Sequence, residues 1–153
     1  MKGIYALIMH LPRPRQISIG NRPPVHFSGG YYAYVGSALG GIEARVNRHL
    51  RNVKKRHWHI DYLLAETPVT EVIVEETETR AECAVARALD TQFKSVPNFG
   101  ASDCRCSSHL FLAPDNKMLS SIIWHVFESA NVKPELWKAR TGNNDRDYSC
   151  QTR

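Results

Sequence analysis

Long apolar stretches are missing from this 153-residue chain. No uninterrupted run approaches the ~20 residues that a membrane-spanning helix needs, so no membrane partner is expected. A secretory leader is missing as well. Met1-Lys2-Gly3-Ile4-Tyr5 opens a short apolar stretch that His10 breaks and Pro12 and Pro14 follow. Without an export signal the expected compartment is the cytoplasm. Cysteine is scarce: Cys83, Cys104, Cys106 and Cys150 are too few for a disulfide scaffold and are expected to stay reduced. Internal repeats and low-complexity segments are absent too. What is present is ordinary in kind. With 42% apolar and 23% charged residues, the chain can build one core without metal or disulfide staples, and wholesale disorder is not expected.

Acid is absent where base is concentrated. From Arg45 to Arg56 there are Arg45, Arg48, Arg51, Lys54, Lys55 and Arg56 with no Asp or Glu, and His49, His57 and His59 lie in or just beyond the stretch. Glu66, Glu71, Glu75, Glu76, Glu78 and Glu82 then follow with only Arg80 to oppose them. Two solvated surfaces pairing loosely would explain this, at little energy per pair. The alternative is a basic element that tracks phosphates beside a carboxylate that holds a cation. The net charge of +5 suits a polyanionic partner without specifying a fold.

Periodicity sets out the elements. Gly3 to Leu11 reads as a strand ended by prolines. Gln16–Ile19 and Val25–Phe27 are short strands around the turn signals at Gly20-Asn21-Arg22-Pro23-Pro24. Tyr31 to Val35 is a further strand that Gly36 stops. From Ile42 to about Val53 the period turns helical, with Ile42, Val46, Leu50 and Val53 as the stripe and Arg45, Arg48, His49 and Asn52 on one polar face. Helical spacing returns around Trp58–Ala65. Val69–Val74 reads as a strand, and Glu78 to about Phe93 as a helix with Ala81, Ala84, Val85, Ala88 and Leu89 inward. Ser108–Leu112 is a last strand, and Asp115 caps a helix with the stripe Leu119, Ile122, Ile123 and Val126. Strands first and helices mixed in later predict an α+β domain, a small and mostly antiparallel sheet flanked by helices, over residues 1–132. A polar, irregular tail is expected over 133–153.

Few side chains stand out for chemistry. Tyr5 and Tyr34 can project from one sheet face if their strands are neighbours, with Tyr32 on the parity of Tyr34; half-buried sheet aromatics are the plain alternative. Arg45 and His49 are one helical turn apart. Thr79-Arg80-Ala81-Glu82 matches a capping box, but a lone carboxylate such as Glu82 also suits Mg²⁺, which keeps several waters. Cys104-Arg105-Cys106 with His109, completed by His57 or His59, hints at zinc. Cys-x-Cys nevertheless falls short of the usual C-x₂₋₄-C spacing, and buried thiols are the alternative.

The segments Gly3-Ile4-Tyr5, Gly30 to Gly41 (GYYAYVGSALGG), His57 to Leu64 (HWHIDYLL) and Phe99 to Phe111 (FGASDCRCSSHLF), together with Arg45 and His49 on a helix, resemble the GIY-YIG endonuclease superfamily. The likeness is to its Uri-type branch of small stand-alone or fused proteins, and it runs from about Lys2 to Leu112. The resemblance implies a small three-stranded antiparallel sheet flanked by helices. The long stretch between Tyr5 and Tyr34, through Pro12, Pro14, Pro23 and Pro24, departs from the tight join of the family's shortest members and reads as an extra hairpin within the sheet. It implies phosphodiester hydrolysis in DNA, structure-specific or repair-related, with one Mg²⁺ or Mn²⁺. By position, Tyr5 and Tyr34 match the motif tyrosines, Arg45 the helix arginine, His49 the basic residue one turn on, and Glu82 the metal-binding glutamate.

On that reading Arg45 grips phosphate bidentately, as Lys cannot. Tyr5 orients or deprotonates the attacking water, with Arg45 or the metal's water shell lowering the phenol's pKa. Tyr34 binds nucleophile or phosphate, and His49 shuttles a proton or contacts phosphate. Arg48, Arg51, Lys54, Lys55 and Arg56 are expected to contact nucleic acid, and a protein partner is one source of specificity. Two alternatives stay open: a nucleic-acid-binding module without cleavage, and a domain organised by structural zinc.

Overall fold

The computed structural model describes residues 2–51, 54–78, 81–101, 104–129 and 134–137. In chain order these form β1 (Gly3–Leu11), β2 (Arg15–Ile17), β3 (Val25–Phe27), β4 (Gly30–Ala38), α1 (Ile42–Leu50), α2 (His59–Leu64), β5 (Val69–Glu76), α3 (Glu82–Asp90), β6 (Lys94–Ser95), β7 (Leu110–Ala113), α4 (Asn116–Glu128) and β8 (Glu135–Leu136). The class is α+β. Six strands make one antiparallel sheet in the order β6-β7-β4-β1-β5-β8. No helix among the described residues is long and apolar enough to cross a membrane.

The centre of the sheet follows from branched and aromatic residues at period two. β1 pairs along its full length with β4, from Gly3 opposite Ala38 to Leu11 opposite Gly30. Its other edge pairs with β5 and slips once, at Ile8/Met9. Nearly all of β1 is buried, as a central strand covered on both faces must be. One face carries Tyr5, Leu7, Met9, Tyr32, Val72 and Val74 against Ile42 and Val46 of α1 and Ile60 and Leu63 of α2. The opposite face carries Ile4, Ala6, Ile8, Ala33, Val35 and Ile73 against Val85, Ala86 and Leu89 of α3 and Leu119, Ile123 and Phe127 of α4. The result is three layers, helices–sheet–helices.

Several expectations shift at their boundaries. β4 runs through Gly36 rather than stopping there, because Gly36 pairs with Tyr5 inside the ladder. The extra hairpin is a separate two-stranded sheet, β2 with β3, not an insertion within the main sheet. It still joins the core through Ile17 and Phe27. In α3 the inner face is Val85, Ala86 and Leu89, which leaves Ala84 in solvent. The helix after Asp115 begins as read, with the Asp115 carboxylate accepting from the Lys117 amide at 3.1 Å. Within the stretch read as an irregular tail, residues 134–137 include regular structure. There β8 pairs with β5, and Trp137 is buried with its amide donating to the Val72 carbonyl at 3.0 Å. Asn52 and Val53, expected at the end of the first helix, and Thr79 and Arg80 of the capping-box pattern lie outside the described residues.

Candidate active site

Register decides which tyrosines meet. Tyr5 is opposite Gly36 and Leu7 is opposite Tyr34 on adjacent antiparallel strands. Alternation therefore points Tyr5 and Tyr34 to the same face, the one covered by α1. Gly36 makes room for this. A Cβ there would fall onto the Tyr5 phenol, hydroxyl included, so any side chain would push the ring from its place. Gly100 does similar service on the far side. It adopts φ 68° and packs on the Tyr34 ring, and its amide donates to His59 Nδ1 at 3.0 Å.

α1 brings its polar face down onto the phenols. Tyr5 Oη and His49 Nε2 are 2.6 Å apart and share a buried hydrogen bond. The Tyr34 ring meets the His49 ring edge-on, with centroids 6.2 Å apart. Burial holds His49 down to about 3, with Asp61 opposing and Lys54, Arg45 and Arg48 reinforcing. The imidazole is thus neutral at physiological pH. Its Nδ1 has no hydrogen-bond partner among the described residues.

Burial likewise pushes the Tyr5 phenol well up. Tyr34 adds to the rise, Arg45 offsets part of it by charge and hydrogen bonding, and Glu82 adds a little more. Tyr34 is raised chiefly by burial and then by Glu82, with Arg45 opposing. The expectation that cationic neighbours would lower the phenol of Tyr5 is therefore corrected: desolvation outweighs the guanidinium.

Arg45 donates to the Ser37 carbonyl at 3.0 Å and lies over the Trp58 ring, 4.6 Å from its centroid. Glu82 is the first residue of α3, and its Oε1 accepts from Ser37 Oγ at 2.9 Å. Glu82 Oε2 stands 3.9 Å from His109 Nδ1. Ser37 thus touches both, through its carbonyl on one side and its hydroxyl on the other. Of the nearby acids, Glu76 and Glu78 are exposed. Glu75 is wholly buried, and neither of its oxygens has a hydrogen-bond partner among the described residues.

The basic run is divided. Arg48, expected to contact nucleic acid, forms a bidentate pair with Asp61 at 2.9 Å to each oxygen, donates also to the Lys55 carbonyl, and lies 4.3 Å from the Trp58 centroid. Its donors are directed inward, so it holds the fold rather than offering itself to a phosphate. Lys54 caps the end of α1, donating to the carbonyls of His49 at 2.6 Å and Arg51 at 2.9 Å, and burial lowers its pKa. Arg51, Lys55 and Arg56 remain exposed, with Arg56 lying over Tyr62.

Asp61 is the residue that sequence reasoning missed. It is buried and accepts from Arg48 and from the amides of His57 and Trp58 at 2.8 and 2.9 Å. Burial alone would raise its pKa; these four donors outweigh that and hold it down to about 2. An acid three residues after Trp58, bonding back to its amide, was the available signal.

A family described as "Domain of unknown function DUF123" matches residues 4–132. The chain belongs to that family. No curated protein and no solved structure matches it. The DUF123 match spans every group just described, from Tyr5 to His109. It also takes in a second constellation, Cys83, Cys104, Cys106 and His109, whose four donor atoms all lie within 4.8 Å of one another. His57 and His59, the candidates to complete a zinc site with Cys104, Cys106 and His109, are not in it; Cys83 is its fourth member. Cys83 carried no local signal, since it lies far along the chain from Cys104.

Proposed function

We propose that this DUF123 chain is a GIY-YIG-type, Uri-like endonuclease that hydrolyses phosphodiester bonds in DNA with a divalent metal. The observation that carries this reading is the convergence of Tyr5, Tyr34, His49, Arg45 and Glu82. The 2.6 Å Tyr5–His49 contact lies at its centre, and Arg45 and Glu82 both bear on the two phenols.

Glu82 suits Mg²⁺ or Mn²⁺. One oxygen is held by Ser37 and the side chain is 31% exposed, which offers a hard donor to a cation that takes only one or two carboxylates and fills its shell with water and phosphate oxygen. Bound there, the ion would supply Lewis-acid stabilisation of the phosphate and the leaving alkoxide. Arg45 would hold the phosphate from the other side through its planar fork, held by Ser37 and Trp58. Tyr34 is the more open phenol and would orient the phosphate or the attacking water.

With Tyr5 raised rather than lowered in pKa, it does not act as a free phenolate. Its hydroxyl passes its proton to neutral His49 Nε2 while Oη takes one from the water, and the hydroxide so formed attacks phosphorus. The water O–H and the old phenol O–H break, and a new phenol O–H and an imidazole N–H form. As the new P–O bond forms, the bond from phosphorus to the leaving oxygen breaks, the alkoxide takes a proton from solvent, and the imidazolium returns its proton to solvent. Burial and the cations Lys54, Arg45 and Arg48 oppose the imidazolium, and only Asp61 favours it in the free protein; the negative charge of a bound phosphate would add to the side of Asp61.

One observation favours a second reading, a nucleic-acid-binding domain that does not cut. Tyr5 is only 1% exposed and His49 only 2%, so water must be let in for the relay to run. Nicking of supercoiled plasmid and of branched DNA, with Mg²⁺, Mn²⁺ or EDTA, separates the two. Metal-dependent nicking that Arg45→Ala and Glu82→Gln abolish supports the enzyme; binding without nicking in any metal overturns it.

A further inference from the structure

Cys83 sits in the first turn of α3, while Cys104, Cys106 and His109 lie on the segment leading into β7. Their four donor atoms fall within 4.8 Å of one another, and Cys104 Sγ is 3.3 Å from His109 Nε2. A tetrahedral zinc with Zn–S of about 2.3 Å and Zn–N of about 2.0 Å spaces its donors by roughly 3.5–3.8 Å, so only a small contraction is needed.

The histidine is prepared for this. It is 2% exposed, and its Nδ1 faces the Val35 carbonyl at 3.2 Å. A carbonyl can only accept, so Nδ1 carries the hydrogen and Nε2 presents its lone pair toward the thiols. That is the backbone partner which fixes tautomer and ring in histidine–metal sites. The backbone of His109 is tied at both ends as well, its amide to Phe99 and its carbonyl to the amide of Val35. All three thiols are free cysteines. Three soft sulfurs and one imidazole nitrogen in a compact cage match zinc rather than Mg²⁺ or Ca²⁺, which want oxygen.

We propose that Cys83, Cys104, Cys106 and His109 bind one Zn²⁺ in a closed Cys₃His site that fastens the segment before β7 to the start of α3. With four protein ligands the ion has no open position, so its role is structural. Its consequence is positional. Cys83 directly follows Glu82, and His109 Nδ1 is 3.9 Å from the Glu82 carboxylate, so the zinc holds the carboxylate that the proposed nuclease uses. That last link rests on the nuclease reading; the metal site itself does not.

The test uses the full chain, purified under reducing conditions without added zinc. Elemental analysis is expected to find one zinc per chain. Replacing it with Co²⁺ is expected to give the intense visible bands of a tetrahedral site together with thiolate-to-cobalt charge transfer. Cys104→Ser and Cys106→Ser should each lose most of the zinc, while Cys150→Ser retains it. Wild-type protein that holds no zinc and gives an octahedral or no cobalt spectrum overturns the proposal. So does a disulfide among these three cysteines in the reduced protein, or an iron–sulfur chromophore. These readouts need only the wild-type protein, so an unfolded variant does not blunt them. Zinc-loaded protein that never cuts DNA overturns the nuclease reading alone, and an active zinc-free protein overturns this one alone.

Discussion

Tyr5→Phe tests the site through both stability and activity. The change removes one oxygen and leaves the ring, so packing against Gly36 and the α1 face is kept. What is lost is the 2.6 Å hydrogen bond to His49. His49 already has an unpartnered Nδ1 among the described residues, so the variant would bury an imidazole with neither nitrogen paired. An unsatisfied buried polar atom costs about 1–3 kcal/mol. For a chain of this size that is a fall in Tm of roughly 2–12 °C. Tyr5→Phe combined with His49→Leu should regain much of the loss, because replacing both partners by apolar groups is close to neutral.

Activity gives the second measure. If Tyr5 relays a proton to His49, nicking measured well below the variant's Tm should fall by about 10²- to 10⁴-fold. If the pair is only a core hydrogen bond, the folded variant should cut within about twofold of wild type, far below the factor expected for a proton-transfer group. Thermal unfolding followed by circular dichroism and single-turnover nicking supply the two numbers. Full activity in Tyr5→Phe refutes the relay, and an unchanged Tm refutes the hydrogen bond.

Other perturbations reach different parts of the molecule. Asp61→Asn should cost about 3 kcal/mol, since it leaves Arg48 without its charge partner; denaturant unfolding checks it. Because the Asp61 pKa is depressed to about 2, its contribution is present above pH 4 and lost as pH falls through about 2. Glu75 is raised by burial to about 7, so wild type should lose stability as pH climbs from about 4.5 to 7, whereas Glu75→Gln should not. The variant-minus-wild-type difference should grow over that window by on the order of 3 kcal/mol at most, and a flat difference refutes the buried, unpaired carboxylate. DNA affinity should weaken steeply with salt, and Ala at Arg51, Lys55 or Arg56 should each lower the log–log slope by about one. Arg48→Ala should destabilise the fold with little change in slope.

The proposed catalytic constellation is legible to the extent that its residues lie in regular elements. Period two puts Tyr5 and Tyr34 on a common face if their strands are neighbours, and helical spacing puts Arg45 and His49 one turn apart. What could not be read were pairings made by tertiary approach. Arg48 looked like its neighbours in the basic run, and only the packing of α2 against α1 gives it Asp61. Cys83 lies on a helix covering the opposite sheet face, so no spacing rule links it to Cys104 and Cys106. β6 and β8 are two residues each, too short to carry a period, and β8 is held by pairing with β5 and by the burial of Trp137 beside it. The sign of the Tyr5 pKa shift depended on depth in the core, which a strand pattern does not state.

The two faces of the sheet explain why the site needs more than its motif residues. Tyr5, Tyr34, Arg45 and His49 belong to the α1 side, whereas Glu82 begins a helix that packs on the other. They can meet only at the end of β4, where side chains alternate between faces. Ser37 occupies that end. Its hydroxyl turns to Glu82 while its carbonyl receives Arg45, so a single residue ties the proposed metal ligand to the proposed phosphate ligand. That tie is one hydrogen bond at a half-buried position, worth about 1 kcal/mol, too weak to hold a helix terminus alone. A closed zinc site at the next residue of the same helix would supply the missing rigidity. Without it, α3 is held by its apolar face against α4 and the sheet, which fixes the helix axis more firmly than the direction of its first carboxylate.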